Sequence, residues 1–151
     1  MNSDFRDLLV ILDREGVEYL VVGGYAVIHY AQPRYTKDLD IWVRPEPENA
    51  AKLMRAFAVF GLSTFGLIQE DFECEGTQLN VGVAPVAIDF LTSLPGVNFP
   101  EAWSRREIAE CDGVGINYLS KFDLVAAKRR AGPPTDLADL AELTRGDPDG
   151  E

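Results

Sequence analysis

Asp38 and Asp40 stand two residues apart in the apolar run DLDIWV, and Asp89 sits inside a second apolar run, VAIDFL. Both runs have the composition of short strands, in which successive side chains alternate faces at a rise of about 3.3 Å per residue. Asp38 and Asp40 therefore share a face about 6.6 Å apart, with Leu39, Ile41 and Val43 on the other, core-facing side. Asp89 is flanked by Ile88 and Phe90, so it too is turned away from the core. If the two strands are neighbours, three carboxylates converge. Such a cluster repels itself, at roughly 4 kcal/mol for a pair 4 Å apart in a medium of effective dielectric 20. Magnesium answers that charge well, because it takes hard oxygen ligands and is usually held by one or two carboxylates together with substrate phosphates. Two such ions would clamp an in-line displacement at phosphorus. Upstream, Gly23-Gly24 follows a β-branched run. A strand that turns abruptly into a helix there leaves backbone N–H groups open to phosphate, and a side chain would block close approach.

The elements that position these residues follow from periodicity. Residues 4–15 place Phe5, Leu8, Leu9 and Leu12 on one helical stripe ending at Gly16. Val17 to Val22 reads as a strand, and YAVIHYA after the double glycine as a short helix ending before Pro33. DLDIWV is a strand, and Pro45 with Pro47 opens a helix that runs to Gly61. Segments at Ser63 to Leu67, Gln78 to Val83, Val86 to Leu91 and Gly115 to Leu119 are expected to be strands. Ser120 caps the helix KFDLVAAKRRA with Asp123 three residues on, and Gly132-Pro133-Pro134 breaks it. A last amphipathic helix, TDLADLAEL, precedes an acidic tail at 145–151 that is expected to be disordered. The expected architecture is one α/β (α+β) domain over 1–144, a mixed β-sheet flanked by helices, with helices at the C-terminus.

Composition narrows the function. At 151 residues and 46% hydrophobic the chain suits one domain with a core of its own. With 25 acidic against 14 basic residues its net charge is −11, which argues against a surface that coats nucleic acid or anionic membrane. No apolar run approaches a membrane span and no leader pattern opens the chain, so a cytoplasmic protein is expected. Cys74 and Cys111 are expected to be ordinary buried thiols, and a single histidine, His29, makes zinc a poor fit. The P-loop, the G-x-S-x-G elbow and the dinucleotide fingerprint are all absent.

Taken together, VVGGYAVIHYAQPRYTKDLDIWV and the later AIDFL resemble the signature of the nucleotidyltransferase superfamily with the DNA polymerase beta-like fold. GGYAVxxH, PRYTKDLDI and the closing K-x-x-x-G-x-x-x-D-x-x-D-L are similar to its small bacterial members, the minimal nucleotidyltransferases and AbiEii-type toxin components. The resemblance spans Val17 to Leu143. It implies that Asp38, Asp40 and Asp89 are catalytic and bind two magnesium ions, Asp89 also helping to deprotonate the attacking hydroxyl. It further implies that Gly23 and Gly24 line the triphosphate and that Arg34, Lys37 and Lys128 neutralise phosphate charge. The implied reaction moves a nucleoside monophosphate from an NTP such as ATP to an acceptor hydroxyl on RNA, protein or a small molecule, with pyrophosphate leaving. A toxin–antitoxin setting, a protein partner or a homodimer belongs to the same expectation. Relatives carry Arg and Lys in a closing G-R-x-K-D run where this chain has Gly132-Pro-Pro-Thr-Asp136. That departure keeps a nucleotide-binding or partner-binding module without turnover as the alternative, and a two-metal hydrolase as a third reading.

Other residues have simpler explanations. His29 is expected to be packed rather than catalytic. Trp42 shares the face of Asp40 and could stack on a base or cover a helix. Arg129 and Arg130 suit a helix C-terminus, Asp136 a helix N-terminus and Asp139 solvent.

Overall fold

The computed structural model describes residues 2–31, 38–83, 86–131, 140, 141, 143 and 144. Helix α1 spans Ser3–Arg14, with the Asn2 side chain accepting the Asp4 and Phe5 N–H groups at its start and Phe5, Leu8, Leu9 and Leu12 buried on one stripe. Strand β1, Tyr19–Val22, is buried along its whole length. It passes without a connecting loop into α2, Gly23–Tyr30. Strand β2 is Asp38–Val43. Helix α3, Pro47–Phe60, has proline in its first turn and stops at Gly61, whose φ of +82° closes the helix in the left-handed conformation that glycine adopts without strain. Strands β3, Gln78–Val83, and β4, Val86–Leu91, form a hairpin. Helix α4, Phe99–Ser104, leads to the hairpin of β5, Glu107–Cys111, and β6, Val114–Tyr118, and then to α5, Lys121–Ala131.

The strands make one mixed sheet in the order β3-β4-β2-β1-β6-β5. β2 pairs antiparallel with β1 and parallel with β4, and β1 pairs parallel with β6. This is the expected mixed sheet flanked by helices. Leu39, Ile41, Ile88, Phe90, Leu79 and Val81 lie in the core, where Phe57 of α3 packs edge-on against Phe90 and against Phe72 of a short 3-10 helix, Gln69–Glu73. Buried Asn49 ties three segments together, accepting the Glu18 N–H at 2.7 Å and donating to the Glu18 and Arg44 carbonyls at 3.1 Å each. The start of β1, the end of β2 and α3 are thereby held in fixed relation.

Two expectations are corrected. Ser63 to Leu67 is not a strand: Ser63 Oγ accepts the Phe65 N–H, Thr64 Oγ1 donates to the Leu67 carbonyl, and Phe65 and Gly66 have φ of +52° and +91°, which a pleated backbone cannot accommodate. The cysteines are not buried thiols. Cys74 is exposed, following the 3-10 helix in an acidic turn, and Cys111 at the end of β5 is half-buried. The 3-10 helix, α4 and β5 carry little periodicity, so the sequence pattern alone does not announce them. Ser120 does cap α5, accepting the Asp123 N–H at 3.1 Å while its hydroxyl donates to the Asp123 carboxylate. Arg105 closes this cap with two bonds to Asp123, whose side chain is almost wholly buried. The segment 132–136, Asp136, Asp139 and the tail 145–151 lie outside the described residues; Leu143, from the expected last helix, is buried in the core. Among the described residues no helix is long and apolar enough to cross a membrane.

Candidate functional site

Register in the sheet brings the sequence-predicted residues together. Asn80 of β3 pairs with Asp89 of β4, Asp89 with Asp40 of β2, and Asp40 with Val22 of β1. A single rung thus crosses four neighbouring strands, each about 4.8 Å from the next, and ends one residue before Gly23. Asp38 lies on the same face one pleat away, opposite Ala87, and is exposed where Asp40 and Asp89 are half-buried. The pairing arises because β2 and β4 run parallel with their apolar residues on one face, which forces their aspartates onto the other.

The turn from β1 into α2 meets this rung directly. Gly23 has a φ of +66°, and a Cβ there would fall 2.0 Å from Asp40 Oδ2. Glycine is thus required twice, by backbone conformation and by the carboxylate lying against it. The first N–H groups of α2 have no partners within the helix, and the helix begins at Gly23, which lies against Asp40. A cleft of about 200 Å³ opens here, lined by Gly23 and Asp40 together with Leu91, Leu94, Leu124 and Lys128. A larger hollow of about 290 Å³ lies against Val81 and Ile88 on the opposite face of the sheet, with Phe60 and Leu62 in its wall. It holds none of the clustered carboxylates, so chemistry rather than volume marks the smaller cleft as the site.

Electrostatics support the same choice. The Asp40 carboxyl is pushed up to about 7, first by burial, then by its hydrogen bond with Asp89 and by the negative charges of Asp89 and Asp38, while Lys128 pulls the other way. A proton on Asp40, or a cation in its place, relieves that repulsion. Among the described residues no three histidine, cysteine or acidic side chains form a ready-made metal cage. The donor set is a close pair of carboxylates with a third one pleat away. That set fits magnesium, which binds one or two carboxylates and completes its shell with water and phosphate, and it does not fit a metal needing a closed protein cage.

The remaining candidates sort as follows. Lys128 faces the cleft from α5, across from Asp40. Arg34 and Lys37 lie outside the described residues. His29 is a packed residue, its Nε2 2.8 Å from Glu107 Oε2 and its ring stacked on Tyr118 at 4.1 Å. Trp42 is buried and meets Phe99 of α4 edge-on, so it covers a helix. Asn80 escaped the sequence reading. Its side-chain amide donates to Asp89 Oδ1. The signal was present, because joining Val83 to Val86 through two residues sets position 80 opposite 89.

Nine solved chains match this arrangement of elements. A candidate nucleotidyltransferase from Thermotoga maritima superposes with a TM-score of 0.64 at 17% identity, over 90% of this chain and 87% of its own. The chain has the nucleotidyltransferase fold. The lincosamide antibiotic adenylyltransferase LnuA, solved with lincomycin bound, shares that fold at a TM-score of 0.61 and 15% identity, over 96% of this chain and 97% of its own. The antibiotic-resistance factor ANT(2'')-Ia matches at 0.59 and 14% identity, over 89% of this chain and 74% of its own. No protein-family model matches the sequence, and no curated protein matches it. At these identities the nucleotidyltransferase fold is common to all of them, while the acceptor is a separate question.

Proposed function

We propose that this chain is a magnesium-dependent nucleotidyltransferase that moves a nucleoside monophosphate from an NTP to a hydroxyl of a small-molecule acceptor. The observation that carries the reading is the rung joining Asp89, Asp40 and the Gly23 turn, since it sets carboxylates and open backbone N–H groups side by side. The small-molecule acceptor is taken by analogy with the lincosamide adenylyltransferase, which shares this fold and was solved with lincomycin bound.

In this reading the N–H groups at the start of α2 bind the phosphates of the NTP, and Lys128 balances their charge from the far side of the cleft. Asp38, Asp40 and Asp89 would hold magnesium, which when bound offsets the charge of phosphates and carboxylates together. The acceptor oxygen attacks the α-phosphorus and passes its proton to Asp89. The bond from that phosphorus to the bridging oxygen breaks, and pyrophosphate leaves with the bond's electron pair. The apolar wall of Leu91, Leu94 and Leu124 excludes water that would otherwise compete as acceptor.

The test is to incubate the protein with each α-labelled NTP, magnesium and separate pools of small hydroxylated compounds, total RNA and lysate protein, beside Asp38→Ala/Asp40→Ala. Label moved to a small molecule by the wild type alone is the expected result. Label on RNA or protein would replace the acceptor class. No transfer with any pool, despite NTP binding by calorimetry, would replace the enzyme by a binding module.

A further inference from the structure

Asn80 lies at the outer end of the rung, on the edge strand β3, and its side chain is exposed. An exposed polar residue on an edge strand is ordinarily left to solvent, yet this one spends its amide on Asp89 Oδ1. The direction of that bond is fixed by chemistry, since a carboxylate only accepts and the amide nitrogen must therefore face it. Asp89 is thus gripped between two neighbours of opposite character. On the β2 side stands Asp40, a second carboxyl that hydrogen-bonds it while protonated and repels it once ionised. On the β3 side stands a neutral donor that attracts it. Remove the donor and one of the two bonds that fix the Asp89 carboxyl is lost, leaving its side chain free to turn between rotamers.

We infer that Asn80 is a positioning residue of this site: by holding one oxygen of Asp89 it fixes the rotamer in which the other is presented toward Asp40 and the cation. The inference rests on the nucleotidyl-transfer reading and adds to it a residue from a strand that contributes no carboxylate. Partners of this kind, which hold a metal-ligating side chain by hydrogen bond, typically change metal affinity or activity about 10- to 100-fold when removed. Asn80 is exposed on an edge strand, so variants are expected to fold, which far-UV circular dichroism checks.

The experiment titrates Mn²⁺ alone, without nucleotide, into wild type, Asn80→Leu and Asn80→Gln, reading free Mn²⁺ by electron paramagnetic resonance. Steady-state transfer is measured in parallel. Asn80→Leu keeps the size and loses the donor, and should bind Mn²⁺ about 10- to 100-fold more weakly, with kcat lowered and the NTP KM little changed. Asn80→Gln restores an amide and should recover most of the affinity. The inference is overturned if wild type binds Mn²⁺ and Asn80→Leu binds it equally well, or if Asn80→Gln is no better than Asn80→Leu. A wild type that binds no Mn²⁺ at millimolar concentration would instead bring down the metal-dependent reading itself, and this inference with it.

Discussion

Replacing Asp40 by asparagine is expected to stabilise the metal-free protein at pH 8 and to do nothing of the kind at pH 4. In the unfolded chain Asp40 ionises near its ordinary value of 3.8, whereas in the folded chain it does so at about 7. Between those two values the folded state holds a proton that the unfolded state has released. Stability therefore falls as pH rises through this window and levels off above about 7. At about 1.4 kcal/mol per tenfold change in proton affinity, ionising Asp40 in place costs at most about 4 kcal/mol. Because the side chain is only half-buried at the cleft, solvent screening reduces this to about 2 kcal/mol. For a chain of this length that is a rise in Tm of about 4 to 8 °C for Asp40→Asn at pH 8, since asparagine has no charge to bury. The assay is thermal unfolding followed by circular dichroism from pH 4 to 8.5 with EDTA, and again with 10 mM magnesium in ~100-fold excess over protein. Magnesium should raise the Tm of wild type at pH 8 and leave Asp40→Asn unmoved. If the two unfolding curves stay parallel across the whole pH range, Asp40 does not carry the strained charge assigned to it and the rung is an ordinary polar patch.

Three further outcomes follow from the same geometry. Gly23→Ala must adopt a positive φ, at about 1 kcal/mol, and push the Asp40 carboxyl aside, so urea unfolding should shift down and the thermal shift caused by magnesium and NTP should vanish. Lys128→Met removes the cation that lowers Asp40, so a carbon-detected NMR titration of the aspartates should find Asp40 ionising above its present value of about 7, while the KM for NTP rises about tenfold, the loss of ~1.4 kcal/mol of phosphate attraction. Trp42 buries its indole N–H without a hydrogen-bond partner among the described residues, so Trp42→Phe sheds an unsatisfied donor as it gives up ring volume. Chemical denaturation should place it within about 1 kcal/mol of wild type, against 2 to 5 kcal/mol lost in Leu39→Ala.

Much of the site was legible because its parts are local. The alternation in DLDIWV places Asp38 and Asp40 on one face whatever the strand pairs with, and the double glycine after a β-branched run announces a strand turning into a helix. Three segments resisted for the opposite reason. The 3-10 helix, α4 and β5 are short, and their conformations come from contacts made elsewhere: Phe72 against Phe57, Phe99 against Trp42, and β5 along β6. At Ser63 to Leu67 side-chain hydrogen bonds to the local backbone defeated a strand-like composition.

By itself, then, the amino-acid order determined which residues could bear charge toward the site and which must face the core, since a period of two residues is a property of any extended chain. Tertiary structure decided that β2 and β4 are parallel neighbours in a register that sets Asp40 beside Asp89, and that β3 brings Asn80 to the outer end of the same rung. Those pairings join residues nine to forty-nine positions apart, counted from Asn80, Asp89 and Asp40. Only packing of the whole core on the other face of the sheet fixes them, because slipping either strand by one residue would turn its aspartate inward and its apolar side chains out to water.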